Sequence, residues 1–423
     1  MHTLMYGEIM THEIIIVGSG IIGINIALAL QDSGFREVIL LDRAPNCVKV
    51  SDMNAGAFAF TDIVPLATPG IMRKAPKWLL DPMGPLSIPP SYAFKIAPWM
   101  LRFWRASWRD RYQASIQAQV NLMDLSRVAL ERQIKKVSSE HLIQRDGQLQ
   151  LYEGAGQFDA SLPGWNLRRE HGIRFDFLKN SGAIAEVQPG IDPRFTHAGF
   201  TPDWMNACDP AQWLEHLTRE FCQRGGRIVQ GNVASLNTTE DGVILNIQSG
   251  DKLFCKQLVV AAGAWSHILA KTLGDHIPLE TERGYNTTLP EGAFELRTHL
   301  TFGNHGFVVS RNGNGIRVGG ATELGGLNLS PNFKRAEHLL NKAAKFLPCL
   351  ETSGGQQQMG FRPSTPDSLP IIDISPKTSR VIYAFGHGHL GLTQAAGTAE
   401  LITELLSGRD PKITMAPYSA SRF

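Results

Sequence analysis

Three glycines near the start of the chain constrain its fold more than any other feature. Residues 14–17 form an unbroken run of Ile and Val, as a parallel strand buried on both faces requires. Gly18, Gly20 and Gly23 follow, and this spacing permits a tight turn, a close approach of the backbone to a ligand, and close packing of the next helix. We expect that helix over residues 21–31, with its free N–H groups directed at an anion.

A second strand and an acidic residue complete the pattern. Residues 38–41 form the next apolar run, and Asp42 lies nineteen residues after Gly23, where a carboxylate can bind ribose hydroxyls. Strand, glycine turn, helix, strand and acid in this order predict a bound dinucleotide. The pattern alone does not show which dinucleotide it is.

The composition excludes several other classes of protein. The 423 residues include 41 Lys and Arg against 39 Asp and Glu, and the net charge of +2 does not indicate a nucleic-acid-binding protein. A hydrophobic fraction of 43% fits a globular protein with a large core and two intertwined domains. The five cysteines are scattered without a C-x-x-C pair, so we expect no metal and no disulfide framework, which suits a reducing cytoplasm. They are Cys47, Cys208, Cys222, Cys255 and Cys349.

Targeting and membrane signals are weak. Residues 1–11 lack the basic start and apolar core of a signal peptide, and no uncharged apolar run is long enough to cross a bilayer. A proline-rich stretch over 65–98 leads into a helix that carries Trp99, Phe103, Trp104 and Trp108 among several arginines. This helix either contacts a membrane surface or packs its aromatic face on the rest of the protein, and we favour packing.

The remaining chain alternates between helical and strand patterns. We expect helices over 114–137, 184–188 and 209–224, the last with Asp209 as N-cap, and the end of a short helix over 167–170. We expect strands over 149–153, 227–231 and 243–247, and one that begins over 200–204. The Asn312-Gly313-Asn314-Gly315 turn predicts a hairpin within residues 300–318.

Two later segments repeat the strand, small-residue turn and helix pattern. Residues 258–266 read LVVAAGAWS, in which small residues leave room for a cofactor, as is typical of flavoproteins. Residues 381–393 read VIYAFGHGHLGLT and lead into a helix of small residues over 394–406, which offers another anion-binding helix start.

Five segments follow one another along nearly the whole chain: SDMNAG at 51–56, VVAAGAWS at 259–266, RVGGATEL at 317–324, GFRPSTPD at 360–367 and GHGHLGLT at 386–393. In this order they resemble the FAD-dependent D-amino-acid oxidase superfamily. The similarity is closest to its bacterial D-amino-acid dehydrogenases of the small-subunit type, with glycine and sarcosine oxidases as relatives.

The resemblance implies an α/β fold (α+β overall) with a Rossmann-like FAD-binding domain. A discontinuous substrate-binding domain would be built on a mainly antiparallel sheet. The FAD-binding domain would comprise residues 12–75, 175–275 and 355–423, and the substrate-binding domain residues 76–174 and 276–354.

The resemblance also implies FAD as the cofactor. Asp42 replaces the Glu that is usual in the family and is one methylene shorter. Gly360 stands where sarcosine oxidases with covalent flavin carry a Cys, so we expect non-covalent FAD. The cofactor contacts that we expect are Gly18, Ser19, Gly20, Ile21, Ile22, Gly23, Asp42, Arg43, Ser51, Asn54, Ala55, Gly56, Val233, Ala262, Gly263, Trp265, Gly388, His389, Leu390, Gly391, Leu392 and Thr393.

The implied reaction oxidises a C–N bond next to a carboxylate. A hydride leaves the α-carbon for flavin N5, and water hydrolyses the imine to a 2-oxo acid and ammonia. Arg362 occupies the family's substrate-arginine position and can pair bidentately with the carboxylate, although an arginine there could instead cap a strand. Tyr285 could add a hydroxyl to the same carboxylate, or hold a backbone partner instead.

Other polar residues allow two interpretations each. His387 and His389 either face the flavin or are hydrogen-bonded within their glycine turn, and His389 stands where a Thr is frequent in the family. His305 is a weaker candidate for the pocket. Arg317 is expected to support the sheet rather than touch the substrate.

Three functional readings follow. The first is a D-amino-acid dehydrogenase that passes electrons to a quinone or another acceptor, such as a partner subunit. The second is an oxidase or dehydrogenase of a secondary or cyclic amino acid, such as D-hydroxyproline, sarcosine or glycine. The third is a flavin-binding subunit without catalysis, against which Arg362 argues. We expect a cytoplasmic protein, and the alternative to packing of the aromatic helix is a peripheral contact on the inner face of the cytoplasmic membrane.

Overall fold

The computed structural model describes residues 11–423, and the expectation about a signal peptide falls almost wholly on residues outside this range. The described residues form ten α-helices. These are α1 Ile21–Asp32, α2 Ala75–Leu80, α3 Ala93–Ala106, α4 Arg109–Lys136, α5 Gly154–Glu170, α6 Ser181–Val187, α7 Pro210–Gln223, α8 Ser266–Thr272, α9 Lys334–Phe346 and α10 Gly391–Leu406. No helix within this range is both long and apolar enough to cross a bilayer.

The strands fall into two large sheets and one small one. They are β1 Thr11–Val17, β2 Val38–Asp42, β3 Ala57–Phe58, β4 Leu86–Ser87, β5 Ile143–Gln144, β6 Gln148–Glu153, β7 Asp176–Leu178, β8 Phe195–Thr201, β9 Met205–Ala207, β10 Arg227–Gln230, β11 Val233–Thr238, β12 Val243–Ile247, β13 Lys252–Val260, β14 Glu280–Leu289, β15 His299–Phe302, β16 Phe307–Asn312, β17 Gly315–Leu324, β18 Gln356–Ser364, β19 Ile371–Ile374 and β20 Val381–Phe385.

The first sheet has a parallel centre. β10, β2, β1 and β13 lie side by side in parallel, and β20 continues the parallel pairing along the second half of β13. Ile14 and Ile16 pack into the core on one face of β1, while Ile15 and Val17 pack into the core on the other. Burial on both faces explains why this strand is an unbroken apolar run. The Rossmann-like architecture is confirmed.

Three helices cover one face of this sheet. α1 and α10 pack against each other, and α4 packs against α10. Ala118, Leu122 and Leu130 of α4 are buried in the same core as Ile14. The helix expected over 114–137 therefore exists and begins earlier, at Arg109. Its main packing partner is α10, which lies in the predicted FAD-binding domain, although the predicted boundaries group α4 with the substrate-binding domain.

The second sheet forms a wall beside the first. Its strand order is β18-β14-β17-β16-β15-β6-β8-β7, with β4 paired to β17. Its pairings are antiparallel except β15 with β6 and β17 with β4. The predicted hairpin is confirmed, because Asn312 pairs with Gly315 across a two-residue turn.

Two local predictions were wrong. The strand expected to begin near residue 200 instead ends there, because Pro202 and Asp203 follow in a turn. The short helix expected to end at residue 170 is the 17-residue α5, which begins at Gly154. The sequence hides its start because Gly156 and Pro163 are poor helix formers, and buried Phe158 and Trp165 hold the helix through tertiary packing.

The aromatic helix α3 divides its large side chains between two environments. Trp99 and Phe103 are buried beside Ile88 and Leu324, as the packing interpretation requires. Trp104 and Trp108 remain about half exposed, at 47% and 48%. Packing therefore accounts for only one face of this helix.

Candidate active site

A cavity of about 1080 Å³ lies between the carboxyl ends of the parallel strands and the second sheet. The residues that follow β1, β2 and β13 line it, namely Gly18, Arg43 and Ala261. Ligands of open α/β sheets bind at this edge, because the strand ends and helix starts meet there. The second sheet closes the other side with residues of β14, β17 and β18.

The glycine turn has the geometry that the sequence predicted. Gly18 has a φ of +108°, and a Cβ built on it would overlap the carbonyl oxygen of Ala261. A Cβ on Gly23 would overlap the carbonyl oxygen of Gly18, so α1 can pack this closely only with glycine there. Gly20 and the first residues of α1 face the cavity. The turn therefore leaves room for a phosphate group at a helix N-terminus.

The Asp42 carboxylate is ionised and accepts hydrogen bonds from nearby residues. Its Oδ2 accepts hydrogen bonds from the Ser19 backbone N–H at 2.7 Å and the Ser19 hydroxyl at 2.9 Å, and its Oδ1 accepts from the Ala44 N–H at 2.9 Å. Burial alone would raise the pKa of Asp42, but these hydrogen bonds hold it below its ordinary value. Asp42 lines the cavity, and its carboxylate retains lone pairs for ribose hydroxyls.

The segment from Ser51 to Gly56 is folded against the start of α1. The Ser51 hydroxyl accepts a hydrogen bond from the Ile21 N–H at 3.0 Å, and the Asn54 amide bridges the Ser51 carbonyl and the Gly56 N–H. Arg317 donates to the carbonyl oxygens of Asp52 at 3.0 Å and Asn54 at 2.5 Å. Burial lowers the pKa of Arg317 to about 10. Arg317 thus ties this segment to the second sheet, in the supporting role that we expected.

An arginine and a tryptophan meet at another part of the cavity. The Arg43 guanidinium lies 3.6 Å from the ring centre of Trp265, within cation–π distance. Val233, Ala262 and Gly263 line the same region. Arg43 and Trp265 thus lie with these three residues around one part of the cavity, and all five are predicted cofactor contacts.

Most of the expected cofactor contacts line the cavity, and five do not. Those that line it are Gly18, Gly20, Ile21, Ile22, Asp42, Arg43, Ser51, Asn54, Ala55, Val233, Ala262, Gly263, Trp265, Gly388, His389, Gly391 and Leu392. The other five act behind this surface. Ser19 binds Asp42, Gly23 packs on Gly18, Gly56 packs on Ala207, Leu390 is buried in an apolar cluster, and Thr393 holds the backbone of Ala57 and Ala59.

Arg362 faces the cavity from β18. It lies across Gly284, where a Cβ would overlap the guanidinium. Among residues 11–423, its side chain has no hydrogen bond and no ion pair within 4.0 Å. Burial lowers the pKa of Arg362, and the charge of Glu282 partly opposes this shift. The hydrogen-bond donors of this guanidinium are therefore available to a ligand in the cavity, and the alternative of a strand cap is not observed.

Glu282 is a site residue that the sequence reasoning missed. It is the cross-strand partner of Arg362 between β14 and β18, and it lines the cavity although it is only 3% exposed. Its Oε1 accepts a hydrogen bond from the Ser364 hydroxyl at 2.5 Å. β14 reads ETERGYNTTL, a mostly polar sequence that gives no local sign that Glu282 is buried. The pairing with Arg362 could not be read from sequence.

Tyr285 does not have the role that we expected. Its hydroxyl donates to Glu323 Oε2 at 2.6 Å and accepts from the Asn332 N–H at 3.0 Å. Glu323 in turn binds Arg283 at 3.0 Å. The Tyr285 hydroxyl is thus engaged away from Arg362 in a buried network, so the backbone-partner alternative describes it better, although Tyr285 also lines the cavity.

The pKa values of the two histidines in the last turn are shifted in opposite directions. His387 contacts the Thr398 hydroxyl at 3.0 Å, and burial lowers its pKa to about 3, so the imidazole is neutral. His389 contacts Asp62 at 3.1 Å. Burial opposes its charge, but Asp62 raises the pKa of His389 above its ordinary value. His389 and Asp62 both line the cavity, and Asp62 was not predicted from the sequence.

His305 lies outside the lining of the cavity. Its ring packs on Phe346, and its Nε2 lies 3.2 Å from Glu153 Oε1. The far wall is instead formed by residues that the sequence did not single out, among them Gln150, Trp204 and His299. Burial lowers the pKa of His299 to about 3, so it adds no charge there.

These residues fit an FAD molecule. The glycine turn offers backbone N–H groups, Asp42 offers acceptors for a ribose, and Ala262 and Gly263 leave space along the cavity. The cavity then continues to Arg362 and the His387 turn, at the end where a flavin ring and a substrate would meet.

Known proteins are similar to this chain over nearly its whole length. The D-amino-acid oxidase of Bradyrhizobium diazoefficiens is 31% identical over 417 residues, covering 97% of this chain and 99% of that protein. The D-amino acid dehydrogenase of Vibrio cholerae is 29% identical over 408 residues, covering 94% and 96%.

Solved structures share the fold at lower sequence identity. Glycine oxidase from Geobacillus kaustophilus superposes with a TM-score of 0.77 at 18% identity, covering 98% of this chain and 99% of that one. L-Proline dehydrogenase from P. horikoshii superposes with a TM-score of 0.73 at 16% identity, covering 98% of each chain. The family model for DAO, FAD dependent oxidoreductase, matches residues 13–405. The chain is therefore a member of the DAO family of FAD-dependent oxidoreductases.

Proposed function

We propose that the protein oxidises D-amino acids to 2-oxo acids and ammonia. The observation that carries this proposal is Arg362, a cavity-facing guanidinium without a protein partner among the described residues. A planar guanidinium matches a carboxylate bidentately, so a substrate with an α-carboxylate would complete the site. The names of the relatives, D-amino-acid oxidase and D-amino acid dehydrogenase, support the D configuration.

The residues around Arg362 suit the orientation of an amino acid. With the carboxylate held by Arg362, the neighbouring Glu282 carboxylate can accept a hydrogen bond from the substrate amino group. Two contacts from adjacent strands fix the direction of the α-hydrogen. His389 lines the same cavity, and Asp62 raises the pKa of this histidine above its ordinary value, which favours the charged imidazole.

The reaction balances without a further protein group. FAD, when bound, would supply the two-electron acceptor for the α-hydrogen, which leaves the substrate as a hydride. The substrate nitrogen releases a proton to water, and the C–N bond becomes an imine. Water then replaces the nitrogen, giving the 2-oxo acid and ammonia. Trp204 and Phe307 add apolar side chains to the lining of the same cavity.

The finer features of the protein are proposals of the same kind. We propose that FAD is non-covalent, because β18 has Gly360 facing the cavity where a covalent link would need a Cys. We propose that the electrons pass to a quinone or another acceptor, such as a partner subunit. We further propose a cytoplasmic enzyme with a peripheral membrane contact, and the two-domain division of the sequence with α4 moved to the FAD-binding domain.

A substrate panel tests the function directly. The purified holoenzyme is offered D-amino acids, the corresponding L-amino acids, D-hydroxyproline, sarcosine and glycine, first with an artificial dye and then with oxygen alone. We expect dye reduction with D-amino acids and little peroxide. Reduction only by the secondary or cyclic amines would select the alternative substrate class, and no turnover with any of them would refute the proposal. Acid precipitation should release the yellow colour into the supernatant.

A further inference from the structure

The outer face of α3, together with Trp108 at the start of α4, carries large apolar side chains that nothing in the described chain covers. Phe94 is 94% exposed, Leu101 63%, Trp104 47% and Trp108 48%. We call these four residues the docking face. Monomeric globular proteins rarely leave several large apolar side chains exposed next to one another.

The spacing of the docking face is that of one side of a helix. Phe94, Leu101 and Trp104 are separated by seven and three residues, which brings them onto the same face of α3. Trp108 follows at the junction with α4, and its ring lies 5.8 Å from that of Trp104. The opposite face holds Ile96, Trp99, Phe103 and Ala106, all buried. The exposed residues therefore form a contiguous stripe.

Basic residues flank this stripe. Lys95, Arg102, Arg109 and Arg111 are exposed, and among residues 11–423 none of them has an acidic partner within 4.0 Å. Arg105 is the exception, because it pairs with Asp110 at 2.7 Å and also lies over the Trp108 ring. The face is therefore apolar and aromatic at its centre and cationic at its edge.

We propose that the docking face binds the surface of an anionic lipid bilayer. Aromatic and aliphatic side chains enter the region between headgroups and acyl chains, and flanking Lys and Arg bind anionic headgroups. A second copy of the chain is a poorer occupant, because two such faces would bring their unpaired cations together. This inference deepens the peripheral contact proposed above and rests on it.

Vesicle co-sedimentation of the holoenzyme tests the proposal. We expect binding to vesicles of phosphatidylcholine and phosphatidylglycerol in equal parts, little binding to pure phosphatidylcholine, and weaker binding as salt is added. The double variant Phe94→Glu with Leu101→Glu should bind at least about tenfold more weakly. The matched control is Val128→Glu on α4, a residue that is 57% exposed and outside the docking face, and it should bind like the wild type.

Three results would overturn the proposal: absence of wild-type binding to the anionic vesicles, equal binding of the double variant, or equal loss in the Val128→Glu control. A concentration-dependent dimer that the double variant abolishes would assign the face to a second copy instead. Dye-linked turnover, measured separately without lipid, should be the same in the double variant and the wild type. Absent turnover with intact vesicle binding would refute the proposed function and leave the docking face standing.

Discussion

The two ends of the cavity are built from different groups. At the glycine turn, the ligand meets backbone N–H groups and the space left by missing side chains, as at Gly18 and Gly20. At the second sheet, it meets the side chains of Arg362 and Glu282, which project from adjacent strands. In the proposed function, the first end would bind the phosphates and sugars common to many dinucleotides, and the second would bind one class of substrate.

The comparison shows how each end can be damaged. A backbone site is destroyed by adding atoms, whereas a side-chain site is destroyed by removing them. The cofactor end should therefore respond to the smallest insertion of volume with loss of FAD. The substrate end should lose affinity or rate while it retains FAD.

The largest effect is expected at the glycine turn. Gly18→Ala places a Cβ on the Ala261 carbonyl oxygen at a φ of +108°, which an L side chain rarely adopts. We expect the purified protein to be colourless and without turnover, as measured by flavin absorbance and dye reduction. Gly34→Ala is the matched control, because Gly34 has a φ of +91° but no atom within 4 Å of its Cβ position. The control should lose about 1 kcal/mol of stability and keep its flavin.

Arg362→Ala should break the substrate end alone. Removing the guanidinium from a desolvated ion pair costs about 2–5 kcal/mol, so kcat/KM should fall by about 1.5 to 3.5 orders of magnitude. Flavin absorbance should be unchanged, because Arg362 lies on β18 and not at the glycine turn. Arg362→Lys keeps the charge without the bidentate geometry, so its kcat/KM should lie between those of the wild type and Arg362→Ala. Unchanged steady-state kinetics in Arg362→Ala would remove this residue from the site.

Glu282→Gln sharpens the assignment within the substrate end. Glutamine keeps an acceptor for the Ser364 hydroxyl but removes the negative charge beside Arg362. We expect kcat/KM for a D-amino acid to fall by about 10- to 100-fold with the flavin retained. Glu280→Gln is the control, because Glu280 lies on the same strand and binds the Tyr92 hydroxyl at 2.9 Å without lining the cavity. Equal losses in both variants would indicate a structural effect on β14.

The same contrast explains what the sequence could predict. Gly18, Gly23 and Asp42 lie within one βαβ unit, so their spacing along the chain determines their geometry. Arg362 and Glu282 are eighty residues apart and meet only through the pairing of β14 with β18. Arg362 was found by family resemblance, and Glu282 was missed because no local pattern encodes that register.

Side-chain direction was the other limit of sequence reasoning. Tyr285 stands next to a cavity-facing glycine in the chain, but its hydroxyl turns into the network of Glu323 and Asn332. Asp62 reaches His389 across more than three hundred residues of chain. Contacts of this kind depend on packing between segments, for which a single sequence holds no local signal.

Tyr285→Phe should affect stability and leave substrate binding unchanged. Tyr285 is only 1% exposed. The change leaves the Asn332 N–H without its acceptor and the Glu323 carboxylate without one donor. We expect a loss of about 1–3 kcal/mol, or about 1–3 °C in the thermal midpoint of a chain of this size. KM for a D-amino acid should not change. A several-fold rise in KM at unchanged stability would restore Tyr285 to the substrate carboxylate.

The smallest effect concerns the charge of His389. Asp62 raises the pKa of His389, and His389 lowers the pKa of Asp62. Both groups are therefore charged only at pH values between the pKa of Asp62 and the pKa of His389. Their ion pair is lost as pH rises through the raised pKa of His389, and at low pH as it falls through the lowered pKa of Asp62. At pH values above the pKa of His389, the cavity loses a positive charge near Arg362. The KM for an amino-acid carboxylate should therefore rise with pH.

Asp62→Asn should move that rise in KM to lower pH, because the histidine then loses the partner that holds its proton. Stability should change by less than about 1 kcal/mol, since the His389 and Asp62 side chains are 31% and 37% exposed. The measurement is KM against pH from below pH 5 to above pH 8, in the wild type and the variant. Glu153→Gln, which breaks the pair with His305 outside the cavity lining, should leave the KM profile in place. If both variants shift the profile alike, the pH dependence belongs to the protein as a whole, and the charged histidine has no part in binding the carboxylate.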